Sequence, residues 1–356
     1  MPPSTTRRIE TFIKTGEKIA RVLRAKSQEG LTIAEAALLD EIKQSKTKNA
    51  WFTEENVRHA LEGIAFILKP ENFLPWINTY DQLKKSGQNP KTVAVIMAGN
   101  LPVVGFHDFM CVLLSGHRFL GKLSSQDKHL PVRVAELVGE AQPAMNNMYS
   151  FTEGMVREFD AIIATGSNNS SRYFEYYFGR HPHIIRKNRN SLAILTGQET
   201  DDELQALSDD IFLFFGRGCR NVSKVFIPKY FDIKRLIKNF SKWEKLKDHN
   251  KFYNNYEYQK AIMLVNQTPH LDSGFSIIKQ DANLSSPLAV VHYDTYSDAK
   301  ELGSYINLQR GNIQCIVSSD PRIVNCSKTV LPGKAQSPGP SEFADGVDTI
   351  AFLTEL

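Results

Sequence analysis

The stretch "TVAVIMAGNLPVVGFHDFMCVLLSGHRFLGKLS", residues 92–124, changes from strand to helix and back to strand. Its ends, 92–99 and 118–124, are largely apolar runs of strand length, and the segment 103–116 between them has the length of a helix. Strands connected through a helix pair in parallel. The stretch therefore predicts a βαβ unit in a parallel sheet.

The same alternation continues along the chain. A helix is predicted over 130–141, a strand over 160–167 and a helix over 168–179, and a second α/β set follows from 190 to 319. Continuous apolar strands such as 161–164 are typical of a sheet that helices cover on both faces. We therefore predict an α/β protein with two Rossmann-like lobes.

The remaining segments predict the domain organisation. Residues 1–90 have the pattern of helices with polar connections, and Thr53 begins one of them. The last segment is rich in proline and glycine before a short predicted strand, and predicts an arm that packs on a neighbour or across lobes. The predicted parts are a helical region at 1–90, a first lobe at 91–190, a second at 191–330, and a C-terminal arm at 331–356.

Composition excludes several classes of protein. Of the 356 residues, 42% are hydrophobic and 23% charged, and no apolar stretch is long enough to cross a membrane. The N-terminal segment predicts no export signal, so we expect a cytoplasmic protein. A net charge of +4 with dispersed basic residues does not favour nucleic acid as a partner. The four cysteines have no paired short spacings, and we predict free thiols without a metal site.

One cysteine has the surroundings of a nucleophile. In "FFGRGCRNVSKVFI", residues 214–227, Gly216 and Gly218 permit backbone angles that would end a helix and present Cys219 at a cleft. Arg217 and Arg220 would favour its thiolate. Cysteine is also among the most buried residue types, so the residues alone leave a reactive and an inert Cys219 both open.

Polar residues also follow the predicted strands. Asn100 follows the first strand, where its amide could donate to an oxyanion, although the N-cap of the next helix is the favoured role from sequence alone. Lys122, Ser124 and Ser125 follow the second strand and could contact ribose or phosphate. "ATGSNNSS", residues 164–171, is a plausible pyrophosphate site at a helix start.

The segment "RHPHIIRKNRN", residues 180–190, is strongly basic. It could bind phosphates, but a solvated connection is the favoured interpretation. His181 and His183 lack a third ligand at a suitable spacing, so the segment predicts no metal site.

Taken in order, these motifs resemble the aldehyde dehydrogenase superfamily and, more closely, the fatty acyl-CoA reductases of bacterial bioluminescence. "FFGRGCRNVSKVF" is similar to the family's nucleophile segment, "GKLSS" to its ribose-binding strand end and "ATGS" to its pyrophosphate turn. The match runs from about residue 91 to the C-terminus. It implies that Cys219 is the nucleophile, that Asn100 and the Cys219 N–H form the oxyanion hole, and that the first lobe binds NAD(P). The implied cofactor-binding residues are Lys122, Ser124, Ser125, Thr165, Gly166 and Ser167.

Two departures from the family pattern indicate the reaction. Hydrolytic members carry a glutamate that activates water, and near that position this chain has Arg186 or Lys187. Without that base, an acyl enzyme should persist until it meets a thiol or a hydride donor. Ser125 stands where NAD-preferring members usually carry a glutamate, which favours NADPH, with NADH still possible.

The resemblance therefore implies reduction of a fatty acyl-CoA, or another acyl-carrier thioester, to the aldehyde. It also implies a homo-oligomer and a possible acyl-protein synthetase partner. A cofactor-independent cysteine acyltransferase or thioesterase is the alternative, since it needs the same cysteine without a nicotinamide site. A noncatalytic acyl-binding protein is a third possibility.

Overall fold

The computed structural model describes residues 2–84, 89–166, 168–324 and 329–356. The chain divides into two compact units: unit 1 comprises Met1–Lys187 with Gly339–Leu356, and unit 2 comprises Asn188–Pro338. None of the helices in these described ranges is both long and apolar enough to cross a membrane. Each unit contains one sheet with helices packed on it.

Unit 1 begins with helices and continues with alternating strands and helices. Its helices are α1 (Thr5–Arg24), α2 (Ile33–Lys48), α3 (Glu54–Ile67), α4 (Pro70–Ile77), α5 (Phe106–Leu114), α6 (Leu130–Ala141) and α7 (Asn168–Phe178). Its strands are β1 (Thr92–Ile96), β2 (Arg118–Lys122), β3 (Tyr149–Thr152), β4 (Ala161–Thr165) and β5 (His183–Arg186). The N-terminal helices belong to this unit because α1 and α2 pack on α6.

The sheet of unit 1 is parallel, in the order β3-β2-β1-β4-β5. Its central strands are mostly apolar: Val93 and Ala94 of β1, and Ile162 and Ile163 of β4, are completely buried. The chain runs outward from β1 to one edge and then returns to β4 on the other side. The strand order therefore reverses between β1 and β4, which is where open α/β sheets bind ligands.

Unit 2 has a mixed sheet in the order β12-β11-β6-β7-β10-β9-β8, parallel except for the β8–β9 pair. Its strands are β6 (Asn190–Ile194), β7 (Val222–Pro228), β8 (Leu271–Asp272), β9 (Ile277–Gln280), β10 (Val290–Tyr296), β11 (Ile313–Val317) and β12 (Thr329–Val330). Its helices are α8 (Asp201–Phe212), α9 (Ile233–Lys238), α10 (Asn250–Val265) and α11 (Ala299–Leu308). The two α/β units agree with the predicted fold class.

The C-terminal segment differs from the prediction. Its last element is a helix, α12 (Thr349–Thr354), and not a strand. Asp348 caps this helix by accepting the N–H of Ala351, and Ile350 and Leu353 are completely buried in the core of unit 1. Two buried residues three positions apart suit a helical face, but a run this short does not distinguish a helix from a strand.

The basic segment 180–190 also differs from the prediction. It contains β5, the edge strand of the first sheet, and its Arg186 side chain is buried. The guanidinium of Arg186 donates to both carboxylate oxygens of Asp108, at 2.5 and 2.9 Å, and to the hydroxyl of Thr349 at 3.0 Å. The prediction of a solvated connection is therefore wrong for β5, where a buried ion pair allows Arg186 to enter the core, whereas Arg180 and Lys187 are exposed.

Candidate active site

Asn100 lies in the loop 97–105 after β1, where it is exposed. The sequence favoured a helix N-cap role for it. The structure contradicts that role, because α5 begins only at Phe106 and its N-cap is Gly105. The loop between them contains Val103 in the left-handed region, with φ 52°. Asn100 is thus presented on a loop at the carboxyl edge of the sheet, next to the point where the strand order reverses.

A cavity of about 270 Å³ lies at the carboxyl ends of β1, β2 and β3. Its lining residues are Ile96, Met97, Lys122, Leu123, Ser124, Ser125, Lys128 and Glu153. Three of them, Lys122, Ser124 and Ser125, are predicted cofactor-binding residues, and the cavity brings them together. The ammonium of Lys122 donates to the backbone carbonyl of Glu153 at 3.0 Å, which holds the lysine at the cavity wall.

A close backbone approach shapes this edge of the sheet. A Cβ on Gly99 would lie 2.2 Å from the Ser124 hydroxyl oxygen, so only glycine allows the β1 loop to pass so close to the β2 loop. The Ser124 hydroxyl also accepts the N–H of Gln126 at 3.2 Å, which orders the turn after β2.

Thr165 and Gly166 lie at the end of β4, next to the start of α7. A Cβ on Gly166 would lie 2.8 Å from the Phe174 ring and 2.9 Å from the Ser170 side chain, so the glycine lets the first turn of the helix fold back over the strand end. The predicted cofactor-binding residue Ser167 lies outside the described residues.

These features fit the adenosine end of a nicotinamide dinucleotide. The cavity offers ammonium and hydroxyl groups for ribose and phosphate, and its volume approaches the roughly 300–1,000 Å³ of small-molecule sites. The glycines at 99 and 166 let the segments after β1 and β4 pack closely against their neighbours at this edge of the sheet. Lys122, Ser124 and Ser125 would hold the ribose and any phosphate on it, and Thr165 and Gly166 border the helix start that suits a pyrophosphate.

Cys219 lies in the turn between α8 and β7, and its side chain is exposed. It therefore sits at the amino end of a strand, and not at the carboxyl end where α/β sheets usually bind ligands. Of the other cysteines, Cys111 and Cys315 are buried, and Cys326 lies outside the described residues. Among the cysteines that the structure describes, Cys219 alone has an exposed thiol.

The turn before Cys219 has an unusual backbone. Phe214, Phe215 and Gly216 all have positive φ, at 54°, 62° and 71°. The sequence predicted such angles at Gly216 and Gly218; Gly216 adopts one and Gly218 does not, and two phenylalanines adopt them as well, at a cost of roughly 1–2 kcal/mol each. Both rings are buried, and the Phe215 ring lies 4.2 Å from that of His249 between centroids. Aromatic packing thus holds a strained segment next to the cysteine.

Asn221 fixes the other side of the turn. Its amide nitrogen lies within hydrogen-bonding distance of the carbonyls of Asp210, Ile211 and Leu213, at 3.1, 3.3 and 2.8 Å. Its amide oxygen accepts the N–H of Gly218 at 2.8 Å. One buried side chain therefore caps the end of α8 and orders the residue before Cys219. Sequence analysis did not identify Asn221, although an asparagine two residues after the cysteine in a tight turn was the available signal.

Arg220 binds a neighbouring segment of unit 2. Its guanidinium donates to the carbonyl of Ala335, whose own N–H donates to the carboxylate of Asp210 at 2.9 Å. Gly333 donates to the same carboxylate at 2.6 Å. The first part of the predicted C-terminal arm is thereby bound next to the Cys219 turn. That Arg217 and Arg220 favour the thiolate remains a prediction.

A buried serine connects the cysteine turn to the sheet. The Ser191 hydroxyl of β6 donates to the carbonyl of Cys219 at 3.0 Å and lies 3.1 Å from the sulfur of Cys315 in β11. Cys315 is thus packed inside the sheet. Ser191 keeps the turn against the amino ends of two strands.

In the described parts of the chain, no group of three or more histidine, cysteine or acidic side chains is arranged to hold a metal ion. At the sheet edge of unit 1 the candidate residues offer amide, hydroxyl and ammonium groups, and in unit 2 the candidate residue Cys219 offers a thiol. Two further lining residues, Lys128 and Glu153, were not identified from sequence. Glu153 was missed because it follows β3, a four-residue strand that the sequence pattern did not predict.

No protein-family model and no curated protein matches the sequence. Solved structures of similar fold include aldehyde dehydrogenase 21 from Physcomitrella patens, with 13% identity, a TM-score of 0.64, and coverage of 98% of this chain and 84% of that one. An aldehyde dehydrogenase from Bacillus cereus, determined as its NAD⁺ complex, has 12% identity and a TM-score of 0.63, with coverage of 93% of this chain and 76% of that one. An NADP-dependent enzyme from E. coli has 11% identity and a TM-score of 0.63, with coverage of 93% of this chain and 78% of that one. The chain thus has the aldehyde dehydrogenase-like α/β fold.

Proposed function

We propose that the protein is an oxidoreductase that reduces a fatty acyl thioester, acyl-CoA or an acyl-carrier thioester, to the aldehyde with NADPH. The observation that carries the proposal is the exposed Cys219 thiol on a strained, hydrogen-bonded turn, in a chain with the aldehyde dehydrogenase-like fold. Inert cysteines are usually buried, as Cys111 and Cys315 are here. Exposure of Cys219 therefore favours the reactive role.

In the proposed reaction, the Cys219 thiolate adds to the carbonyl carbon of the thioester. The amide of Asn100 and the N–H of Cys219 donate to the resulting oxyanion. Cleavage of the bond to the substrate's sulfur releases its thiolate, which takes a proton from solvent, and leaves the acyl group on Cys219. A reduced nicotinamide, when bound, supplies one hydride to that carbon. Cleavage of the bond to Cys219 then releases the aldehyde and restores the thiolate.

The thioester preference is supported by the residues near the position of the hydrolytic glutamate. Arg186 is buried against Asp108, and Lys187 pairs with Glu175 at 2.9 Å. Neither can activate water in place of a carboxylate, because each is a cation held by an acidic partner. The acyl enzyme would therefore persist until a hydride arrives.

Preference for NADPH is supported by two residues that line the cavity. Ser125 places a neutral hydroxyl where NAD-preferring members of the family usually carry a carboxylate, and Lys122 adds a positive charge. A 2′-phosphate is attracted by the ammonium group and is not repelled by the serine.

Mass spectrometry tests the nucleophile. The protein is incubated with a long-chain acyl-CoA in the absence of nicotinamide, and the peptide that contains residue 219 is analysed for an acyl adduct. We expect the adduct in the wild type and in Cys315→Ala, the matched control for a buried thiol, and none in Cys219→Ala. An adduct elsewhere in the chain, or none at all, would overturn the proposal.

A second measurement separates reduction from transfer. Addition of acyl-CoA should cause loss of the ultraviolet absorbance of NADPH. If Cys219 is acylated but several acyl chain lengths cause no loss with NADPH or NADH, the protein is a cofactor-independent acyltransferase or thioesterase.

A further inference from the structure

The cavity at the end of β2 contains an ion pair that the proposed function does not use. The ammonium of Lys128 lies 2.5 Å from a carboxylate oxygen of Glu153. Lys128 belongs to the loop after β2, and Glu153 follows β3, so the pair bridges two neighbouring strand ends. Both side chains line the cavity together with Ser124 and Ser125.

This pair adds little to stability. The side chains of Lys128 and Glu153 are 38% and 63% exposed, and pairs exposed to that extent contribute little to stability because water screens them. Replacement of Glu153 by another anion at Lys128 would therefore cost the folded protein little. The pair is available for exchange with a ligand.

The charged side chains of the cavity favour two different ligand groups, a phosphate and a hydroxyl. Lys122 and Lys128 are cationic, and the hydrogen bond from Lys128 lowers the pKa of Glu153, which keeps that carboxylate ionised. A phosphate on the ribose is attracted by the ammonium groups and repelled by the carboxylate. A ribose hydroxyl, in contrast, can donate a hydrogen bond to the carboxylate.

We propose that Lys128 and Glu153 determine which nicotinamide dinucleotide the protein binds. With NADPH, the Lys128 ammonium leaves Glu153 and pairs with the 2′-phosphate, which Glu153 repels. With NADH, the Glu153 carboxylate accepts a hydrogen bond from the 2′-hydroxyl. This inference rests on the proposed function, since it places the adenosine ribose in this cavity. It assigns specificity to two residues in addition to Ser125.

Binding measurements without substrate test the inference. Dissociation constants for NADP⁺, NAD⁺ and adenosine 2′,5′-bisphosphate are measured by titration calorimetry for the wild type, Glu153→Gln and Lys128→Met. Lys128→Met should weaken NADP⁺ and the bisphosphate roughly tenfold, the effect of losing one charged hydrogen bond, and leave NAD⁺ nearly unchanged. Glu153→Gln should strengthen NADP⁺ and weaken NAD⁺.

A matched control is Glu136→Gln, which removes the partner of Arg133, at 2.8 Å, in a comparably exposed pair that does not line the cavity. This variant should leave all three constants unchanged. If the wild type binds both dinucleotides and neither Lys128→Met nor Glu153→Gln changes their ratio, the inference is overturned and the proposed function stands. If the wild type binds neither dinucleotide, the proposed function fails as well.

Discussion

The carboxylate of Asp127 accepts a hydrogen bond from the backbone N–H of Val103 at 2.7 Å. This bond ties the loop after β1, which carries Asn100, to the loop after β2, which carries Ser124. Val103 is in the left-handed region, where a β-branched residue is strained, and the buried acceptor helps to hold it there. The proposed oxyanion donor and the proposed ribose site are thus connected by one side chain that sequence analysis did not identify.

The titration of Asp127 should be visible in the stability of the protein. Burial raises the pKa of Asp127 from 3.8 to about 7. Since the folded state holds this proton more tightly than the unfolded state, ionisation of Asp127 opposes folding, and the contribution of Asp127 to stability falls as the pH rises from about 4 to 7. Asp127→Asn removes this titration. We expect the stability of the variant relative to wild type to increase over that range, measured by urea unfolding at pH 4.5 and pH 8.

Asp81→Asn is the control for this prediction. Asp81 is an exposed residue whose hydrogen bond from Lys84 lowers its pKa, so its charge supports folding above the unfolded pKa. Its removal should give no relative gain in stability as the pH rises. A difference between Asp127→Asn and wild type that is the same at both pH values would contradict the assignment.

Replacement of Asn100 should affect the chemical step and not cofactor binding. Asn100→Ala removes one proposed oxyanion donor, and losses of this kind reduce kcat by about 10²–10³-fold. Asn100 does not line the cavity at the β2 end, so the dissociation constant of NADP⁺ should stay within twofold of wild type. The measurements are steady-state kinetics with acyl-CoA and equilibrium dinucleotide binding.

The control for Asn100→Ala is Asn72→Ala. Asn72 donates to the carbonyl of Phe66 in the helical region, and its loss should leave kcat unchanged. An Asn100→Ala protein with wild-type kcat would exclude the oxyanion role.

Elements with a strong local pattern were predicted from the sequence. The helix predicted over 130–141 is α6, and Thr53 caps α3 by accepting the N–H of Asn56 at 3.3 Å. Helix caps and apolar periodicity depend on residues only a few positions apart, so they can be recognised in a single sequence. The β5 strand was not predicted because its Arg186 enters the core through Asp108, a partner 78 positions away.

The candidate site was predicted only in part for the same reason. Cys219, Lys122 and the serines at 124 and 125 were identified by short motifs. The hydrogen bonds from the N–H of Val103 to Asp127 and from Lys128 to Glu153 span 24 and 25 positions, and no local pattern indicates them.

Loss of the Asn221 side chain should affect the Cys219 turn more than loss of a single hydrogen bond would. Asn221→Ala leaves the N–H of Gly218 and the α8 carbonyls without this partner, which should cost about 1–3 kcal/mol of stability. Because the same side chain orders the turn, kcat should also fall, while NADP⁺ binding stays unchanged. Urea unfolding and acyl-CoA kinetics measure the two effects.

The control for Asn221→Ala is Asn239→Ala, in which the lost amide donates to a single carbonyl, that of Arg235, at 3.0 Å. Its stability loss should be smaller and its kcat normal. If Asn221→Ala lost stability but kept wild-type kcat, Asn221 would cap the helix without positioning the cysteine.

The left-handed backbone before Cys219 predicts opposite effects for one substitution at two glycines. Gly216 has φ 71°, and a Cβ there would lie 3.2 Å from the carbonyl oxygen of Ile211, so Gly216→Ala should destabilise the protein by about 1–2 kcal/mol. Gly63 lies in α3, and a Cβ there would meet no atom within 4 Å, so Gly63→Ala should stabilise by about 0.5–1 kcal/mol through helix propensity. Urea unfolding of both variants gives the two signs. Equal effects would mean that the turn relaxes without strain, and the link between strain and presentation of Cys219 would be lost.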